Sequence, residues 1–297
     1  MNLQPFRRAE DPLQPKQRRR LRKGMFLLPS LFTTANIALG YYAIVQVLAA
    51  TTAEPWHFDN AAKALGFAVV FDSLDGAIAR LTNTSSDFGR ELDSLADVIS
   101  FGIAPALLAY SWGFRLLPQP GDWTGDMFAR VIQIGAVASF LFLIAGAGRL
   151  ARFNIQKNPQ PSNPGRPDRK YFVGMPIPAG AGVIASLVHF SAGAPVTTWW
   201  LAVAFFALLL AVSFLMVSTW RFYSFKQINL RRSHPFRTII LIAALIALIR
   251  FFSQYVLFLL AFGYMLSGVL VRFFYAARRP TPPPPPPAPC EEAPEAR

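Results

Sequence analysis

The chain has 297 residues, of which 53% are hydrophobic and only 15% charged, and its mean hydropathy is +0.35. Those values exclude an ordinary soluble domain and indicate a polytopic membrane protein. A net charge of +13 would suggest nucleic acid in a soluble protein; here it reads as topology and as attraction to anionic lipid. A single cysteine, Cys290, excludes a disulfide framework.

Residues 1–24 hold Arg7, Arg8, Lys16, Arg18, Arg19, Arg20, Arg22 and Lys23, a basic arm suited to lipid headgroups. It lacks the interleaved aromatics that stack on bases, and no nucleic-acid partner is expected. The apolar run after it is too long for the core of a cleaved leader and ends in no small-residue cleavage site, so a first span over 25–50 is expected instead. That span contains Thr33, Thr34 and Asn36, unusual polar residues for an apolar segment. An outer loop (51–60) leads to a second span over 61–81 and a third over 91–114. Within the third, Ser100-Phe101-Gly102-x2-Pro105 should bend the helix at its proline. A loop at 115–126 precedes a fourth span, 127–150, which runs out in Arg149-Leu150-Ala151-Arg152-Phe153-Asn154.

After an irregular loop at 156–170, Tyr171 to Pro178 opens a fifth span of marginal hydrophobicity ending near Phe190. The sixth, Trp199 to Ser218, is plainly apolar. A basic loop with Arg221, Lys226, Arg231, Arg232 and Arg237 follows. The apolar block 238–276 is interrupted by Arg250 and Ser253-Gln254, and predicts two spans in a tight hairpin; one long helix is the alternative. Residues 280–297 include six consecutive prolines, Pro282 to Pro287, and predict a disordered polyproline tail. The fold class is therefore an all-α membrane protein of about eight spans. A six-helix core over 25–220 is followed by a basic loop and C-terminal hairpin over 221–279. Of the 29 lysines and arginines, all but Lys63, Arg115, Arg130 and Arg250 fall on one side of that arrangement. The excess of positive charge assigns that side, with both termini, to the cytoplasm.

The chemistry concentrates in Asp72-x2-Asp75-Gly76-x2-Ala79-Arg80-x8-Gly89-x3-Asp93-x3-Asp97. Ionisable groups at membrane depth are costly and usually functional. Asp72, Asp75, Gly76, Ala79 and Arg80 follow i, i+3, i+4, i+7, i+8, one face of a helix, and Gly89, Asp93 and Asp97 recur every four residues on another. The polar residues 82–87 between them make a turn, giving a helical hairpin whose facing stripes carry four acids. Hard divalent cations take oxygen ligands, with Mg2+ commonly shared between carboxylates and phosphates. Small residues such as Gly76 and Gly89 admit a bulky ligand, and Arg80 offers a forked donor for phosphate. A salt-bridged polar helix pair is the plainer reading, but four acids against two nearby arginines leave negative charge that only cations offset.

This stretch resembles, at every specified position, the signature of the CDP-alcohol phosphotransferases, and the resemblance covers about 25–220. It implies a divalent metal site of Asp72, Asp75, Asp93 and Asp97 holding Mg2+ or Mn2+, with two ions. It also implies contact of Gly76, Arg80 and Gly89 with the CDP moiety and a general-base role for Asp97. Asn36 either faces the nucleotide end of that substrate or is satisfied by helix packing. Family members are commonly homodimers. The segments Ser100–Pro105, Arg149–Asn154 and Phe172-x-Gly174-x-Pro176-x-Pro178 are similar to the integral-membrane phosphatidylserine synthase branch. That implies CDP-diacylglycerol and serine as substrates. Arg149 and Arg152 would then receive the acceptor carboxylate, or else serve as topology and headgroup anchors. Glycerol 3-phosphate, inositol phosphate or choline are the alternative acceptors. An ion-conducting protein is the rival class, against which stand acids gathered at one membrane end and no visible broken inverted repeat. His57, His189 and His234 are expected to be neither metal ligands nor nucleophiles.

Overall fold

The computed structural model describes residues 15–82, 87–121, 123–157, 171–223 and 235–277. The expected polyproline tail, the first fourteen residues of the basic arm and the loop 158–170 lie outside them. Helix α1 spans Pro15–Ala49 and α2 spans Trp56–Thr82. Helix α3, Asp87–Asp97, runs on through a wide π-helical turn at Val98–Ile103 into α4, Ala104–Tyr110, and ends in a second such turn at Ser111–Arg115. Helix α5 is Gly125–Lys157, α6 Ile177–Phe190, α7 Trp199–Val217 and α8 Pro235–Ala277. The helix of the first span begins ten residues earlier than expected, so the basic residues 16–23 already belong to α1.

Repeating stripes explain how the first two helices pair. On α1 the buried residues among those described are Thr33, Asn36, Gly40, Ala43 and Val47, with Ala50 just past its end; on α2 they include Phe58, Ala61, Leu65, Ala68 and Asp75. Both sets step by three and four residues, the period of a helix face. In each helix the stripe is apolar toward the α1–α2 connection and turns polar three to five turns away. The polar residues of the motif thus continue an apolar packing seam. On the opposite faces Leu31, Tyr41, Val45 and Leu48 of α1, and many apolar residues of α5, α7 and α8, are exposed. Such a surface suits lipid, not water. Among the described residues, five stretches are long and apolar enough to cross a membrane: Leu31–Ala49, Phe88–Arg115, Gly125–Ile155, Trp199–Val217 and Ala243–Arg272.

Helix α6 has only 14 residues, about 21 Å at 1.5 Å per residue and less than a bilayer core. It is instead the central helix, with Ile177, Gly180, Ala181, Val183, Ile184, Ala185, Val188 and His189 all buried. Its marginal hydrophobicity reflects small residues that let neighbours approach. An antiparallel pair of three-residue strands that sequence reasoning missed, β1 (Tyr171–Val173) and β2 (Arg221–Tyr223), clips the start of α6 to the end of α7. The Gly174 amide donates to the Trp220 carbonyl at 2.8 Å and the Met175 amide to the Leu215 carbonyl at 3.0 Å. Gly174 has φ +78, and a Cβ there would press on the Met216 and Ser218 carbonyl oxygens, so only glycine suits the position. Pro176 then caps α6, and Pro178 occupies its first turn, where a missing N–H costs nothing.

The bend expected at Pro105 takes the form of wide turns on either side of it. The Ala104 amide bonds back to the Ile99 carbonyl, five residues away, which accommodates a proline without a sharp kink. The block over 238–276, expected as two spans in a tight hairpin, is two helical segments that follow each other directly across a kink at Phe252 (φ −132, ψ 39) and are together called α8. A turn of several residues is not needed because one non-helical residue redirects the axis.

Candidate metal centre

Asp72 lies on α2, Asp93 and Asp97 on α3, and one carboxylate oxygen from each lies within 4.8 Å of the other two. The helical spacing brings them together: Asp93 and Asp97 are one turn apart, and Asp72 faces them across the α2–α3 hairpin. Asp97 buries its Oδ1 with no hydrogen-bond partner among the described residues. A buried carboxyl oxygen without a donor, next to two further carboxylates, is a costly place for charge unless positive charge joins it. An all-oxygen donor set of this kind fits a hard divalent cation. The cluster can therefore hold a metal ion.

Asp75 is not one of the three acids whose oxygens converge. Its side chain is 6% exposed, and its Oδ2 accepts a hydrogen bond from Thr33 Oγ1 of α1 at 2.5 Å. One turn along α1, Asn36 is 1% exposed, and its side-chain Oδ1 has no partner among the described residues. Its backbone carbonyl accepts from Ser100 Oγ at 2.9 Å. The Ser100–Pro105 segment thus packs the π-turn after Asp97 onto α1: Ser100 and Phe101 are fully buried. Gly76 follows Asp75 on α2, and Gly89 opens α3 one turn before Asp93. Arg80 also lies in α2, but its side chain is outside the described set.

Helix α5 supplies the other wall. Asn154 Nδ2 donates to Ser94 Oγ at 2.8 Å, and Ser94 Oγ donates to the Arg90 carbonyl at 3.0 Å, which ties the end of α5 beside Asp93. Arg149, one turn back, stands within electrostatic reach of Asp97 and of Tyr264 on α8, and its guanidinium lies 5.6 Å from the Phe153 ring centre. Arg152 turns elsewhere. Its Nη1 donates to the Val217 carbonyl at 3.4 Å, at the negative end of the α7 dipole. The two arginines bracketed together by the sequence therefore occupy different surroundings.

A second polar cluster sits at the far end of α2. His189 Nδ1 donates to Asp59 Oδ1 at 2.5 Å, and His189 Nε2 pairs with Ser253 Oγ at 2.9 Å. Since a carboxylate only accepts, a neutral ring accepts the serine hydroxyl at Nε2. Lys63 Nζ lies 2.6 Å from the other Asp59 oxygen. Sequence reasoning gave His189 no metal or nucleophile role, because the three histidines lie far apart in the chain, and offered it no partner; those it has are 130 and 64 residues away. His57 meets Gln46 at 2.7 Å and stacks on Trp56, while His234 lies outside the described residues.

Residues 26–208 match the CDP-alcohol phosphatidyltransferase family. The CDP-diacylglycerol–serine O-phosphatidyltransferase of Helicobacter pylori strain 26695 is 39% identical over 211 residues, covering 69% of this chain and 75% of its own length. The Bacillus subtilis protein of the same name is 34% identical over 68% of this chain and 93% of its own length. The Saccharomyces cerevisiae one is 37% identical over 53% of this chain and 51% of its own. With its aspartate cluster on a helical hairpin inside an apolar bundle, this chain belongs to the CDP-alcohol phosphatidyltransferase family.

Proposed function

We propose that this integral membrane protein transfers the phosphatidyl group of CDP-diacylglycerol to the hydroxyl of L-serine, giving phosphatidylserine and CMP. The observation that carries the phosphotransfer chemistry is the convergence of Asp72, Asp93 and Asp97 around a buried, unpartnered carboxylate oxygen. Serine as acceptor is supported by the names of the similar proteins.

Asp72, Asp93 and Asp97 would hold divalent ions, Mg2+ or Mn2+ and two in number, with Asp75, oriented by Thr33, as the fourth acid. When bound, such ions neutralise charge that develops on the departing nucleotide phosphate. Asp97 accepts the proton of the serine hydroxyl as that oxygen attacks phosphorus; its role rests on placement as much as on basicity. Gly76 and Gly89 leave room for the CDP moiety at the hairpin, Arg80 offers it a forked donor, and Asn36 turns its free amide oxygen toward it. Arg149 receives the serine carboxylate, and Arg152, held by the Val217 carbonyl, adds positive charge to the approach. The charge distribution along the chain supports a cytoplasmic site with both termini on that side. We further assign the protein as a homodimer. Glycerol 3-phosphate, inositol phosphate and choline are the competing acceptors for the same chemistry.

The test is CMP release by purified protein with CDP-diacylglycerol and Mg2+ or Mn2+, each acceptor offered separately. Release with serine alone is the expected result. Release only with another acceptor removes serine, and no release with any removes the transferase reading.

A further inference from the structure

Helices α5 and α7 pack side by side, and between them lies an open groove of about 450 Å³. Arg130, Ile134, Val137 and Leu141 form its α5 wall, and Phe206 and Leu210 of α7 form the other. The α5 residues step by four, three and four, which is one face of a helix. Ile134, Val137 and Leu141 are exposed, and Phe206 and Leu210 are partly buried. Ala138 also lines the groove, and its small side chain leaves the space open.

The polar members stand together at one end. Arg130 lies in the second turn of α5, and Gln133, which also lines the groove, follows three residues later. Both are exposed, and among the described residues Arg130 forms no ion pair, not even with Asp126 one turn before it. Beyond them, toward Leu141, the wall is apolar. From Arg130 to Leu141 the helix rises about 16 Å, the depth of one leaflet of a hydrocarbon core about 30 Å thick. A charged head at one end of an apolar track one leaflet deep is the complement of a single phospholipid. An arginine fork matches paired phosphate oxygens, the Gln133 amide adds a donor, and an acyl chain follows the apolar wall. A lipid of net negative charge suits Arg130 better than a zwitterionic one, whose ammonium already offsets its phosphate.

The groove is remote from the aspartate cluster. Asn154, which bonds to Ser94 beside Asp93, lies 24 residues beyond Arg130 on the same helix, about 36 Å along its axis. Arg130 and the cluster therefore belong to opposite faces of the membrane.

We propose that the α5–α7 groove is a second lipid site, which holds one anionic glycerophospholipid of the leaflet opposite the aspartate cluster. Its phosphate sits on Arg130 and Gln133, and one acyl chain lies along Ile134, Val137 and Leu141. The lipid fills space that the two spans leave open and fastens them to each other.

The experiment measures lipid retention by the full-length protein in detergent, using native mass spectrometry, with melting temperature as a second readout. The probes are phosphatidylglycerol, phosphatidylcholine with the same chains, and inorganic phosphate. The wild type is expected to retain one phosphatidylglycerol more tightly than phosphatidylcholine, and to melt higher with it. Arg130→Gln should weaken phosphatidylglycerol about five-fold, the scale of one arginine at an anionic headgroup, and leave phosphatidylcholine unchanged. Val137→Trp, which fills the groove from an exposed position, should weaken both lipids. Arg130→Gln binding phosphatidylglycerol as tightly as the wild type overturns the proposal, as does a wild type without preference between the two lipids. Inorganic phosphate raising the melting temperature as much as phosphatidylglycerol leaves an anion site without a lipid and overturns it too. So does a Val137→Trp protein that keeps its lipid but elutes at a lower mass, since a second copy would then cover this face. Should Val137→Trp fail to fold, judged by melting temperature without added lipid, Arg130→Gln alone decides.

Discussion

The two ends of α2 carry two polar clusters with opposite internal arithmetic. Asp72 and Asp59 are 13 residues apart on the same helix, about 20 Å along its axis. At the Asp59 end every polar group has a partner: carboxylate to histidine and lysine, histidine to serine. At the Asp72 end three carboxylates crowd together, and a buried oxygen of Asp97 has none. Both clusters sit among apolar helices, where an unmatched polar group is expensive. The first is complete by itself and works as a staple between helices. The second has the donor set to take a cation. Burial of charge alone does not mark a site; three carboxylates converging on one point do.

The largest expected effect comes from removing a carboxylate of that cluster. Asp93→Asn and Asp97→Asn should each lower CMP release by about a thousand-fold or more, since electrostatic stabilisation and proton transfer are both lost. With Asp97→Asn, binding of CDP-diacylglycerol should persist. An Asp97→Asn variant that still turns over removes Asp97 from the base role.

Metal removal sharpens the contrast by reversing the sign. Chelation with EDTA should abolish activity, and Mn2+ or Mg2+ should restore it. In EDTA, Asp72→Asn should melt higher than the wild type by about 2 °C, because one of three mutually repelling carboxylates is gone. Adding Mn2+ should raise the melting temperature of the wild type and leave Asp72→Asn nearly unmoved. A variant less stable than the wild type in EDTA would mean that the cluster is a structural ion-pair network after all.

At the other end the sign should be ordinary. His189→Ala breaks two hydrogen bonds and leaves Asp59 with Lys63 alone. The loss should be about 2 kcal/mol, seen as a lower melting temperature in detergent, while the Mn2+-dependent increase survives. Loss of that increase would join two clusters that the comparison separates.

The sequence carried one of these clusters openly and hid the other. The aspartates sit within 26 residues, at spacings that a helix converts directly into two faces, so Asp72, Asp93 and Asp97 could be brought together without any tertiary knowledge. Asp75 was harder: its spacing also suits the hairpin stripe, and only the approach of α1 shows Thr33 holding it. Arg149 and Arg152 are three residues apart and nominally share a helix face, yet α7 ends beside one of them and α8 passes the other. The Asp59–His189–Ser253 relay was invisible because it joins three helices distant in the chain. The short strand pair was equally hidden, although Gly174 and its two prolines were noticed as a motif. The break in α8 was foreseen from Ser253-Gln254, but as a turn, because sequence pattern gives no measure of how few residues a change of direction needs.

The smallest effect should come from the lysine at the paired end. Lys63 is 48% exposed at its side chain, and its partner Asp59 is 14% exposed. An ion pair open to solvent on one side contributes about 0.5 kcal/mol or less, since water and salt screen it and a long side chain must be ordered. Asp59 keeps its bond to His189 when the lysine is removed. Lys63→Met should therefore shift the melting temperature by about 1 °C, close to the limit of measurement, and leave CMP release as it was. A loss as large as that of His189→Ala would show that Asp59 depends on Lys63 for its charge, and that the relay, like the aspartate cluster, needs a cation brought to it.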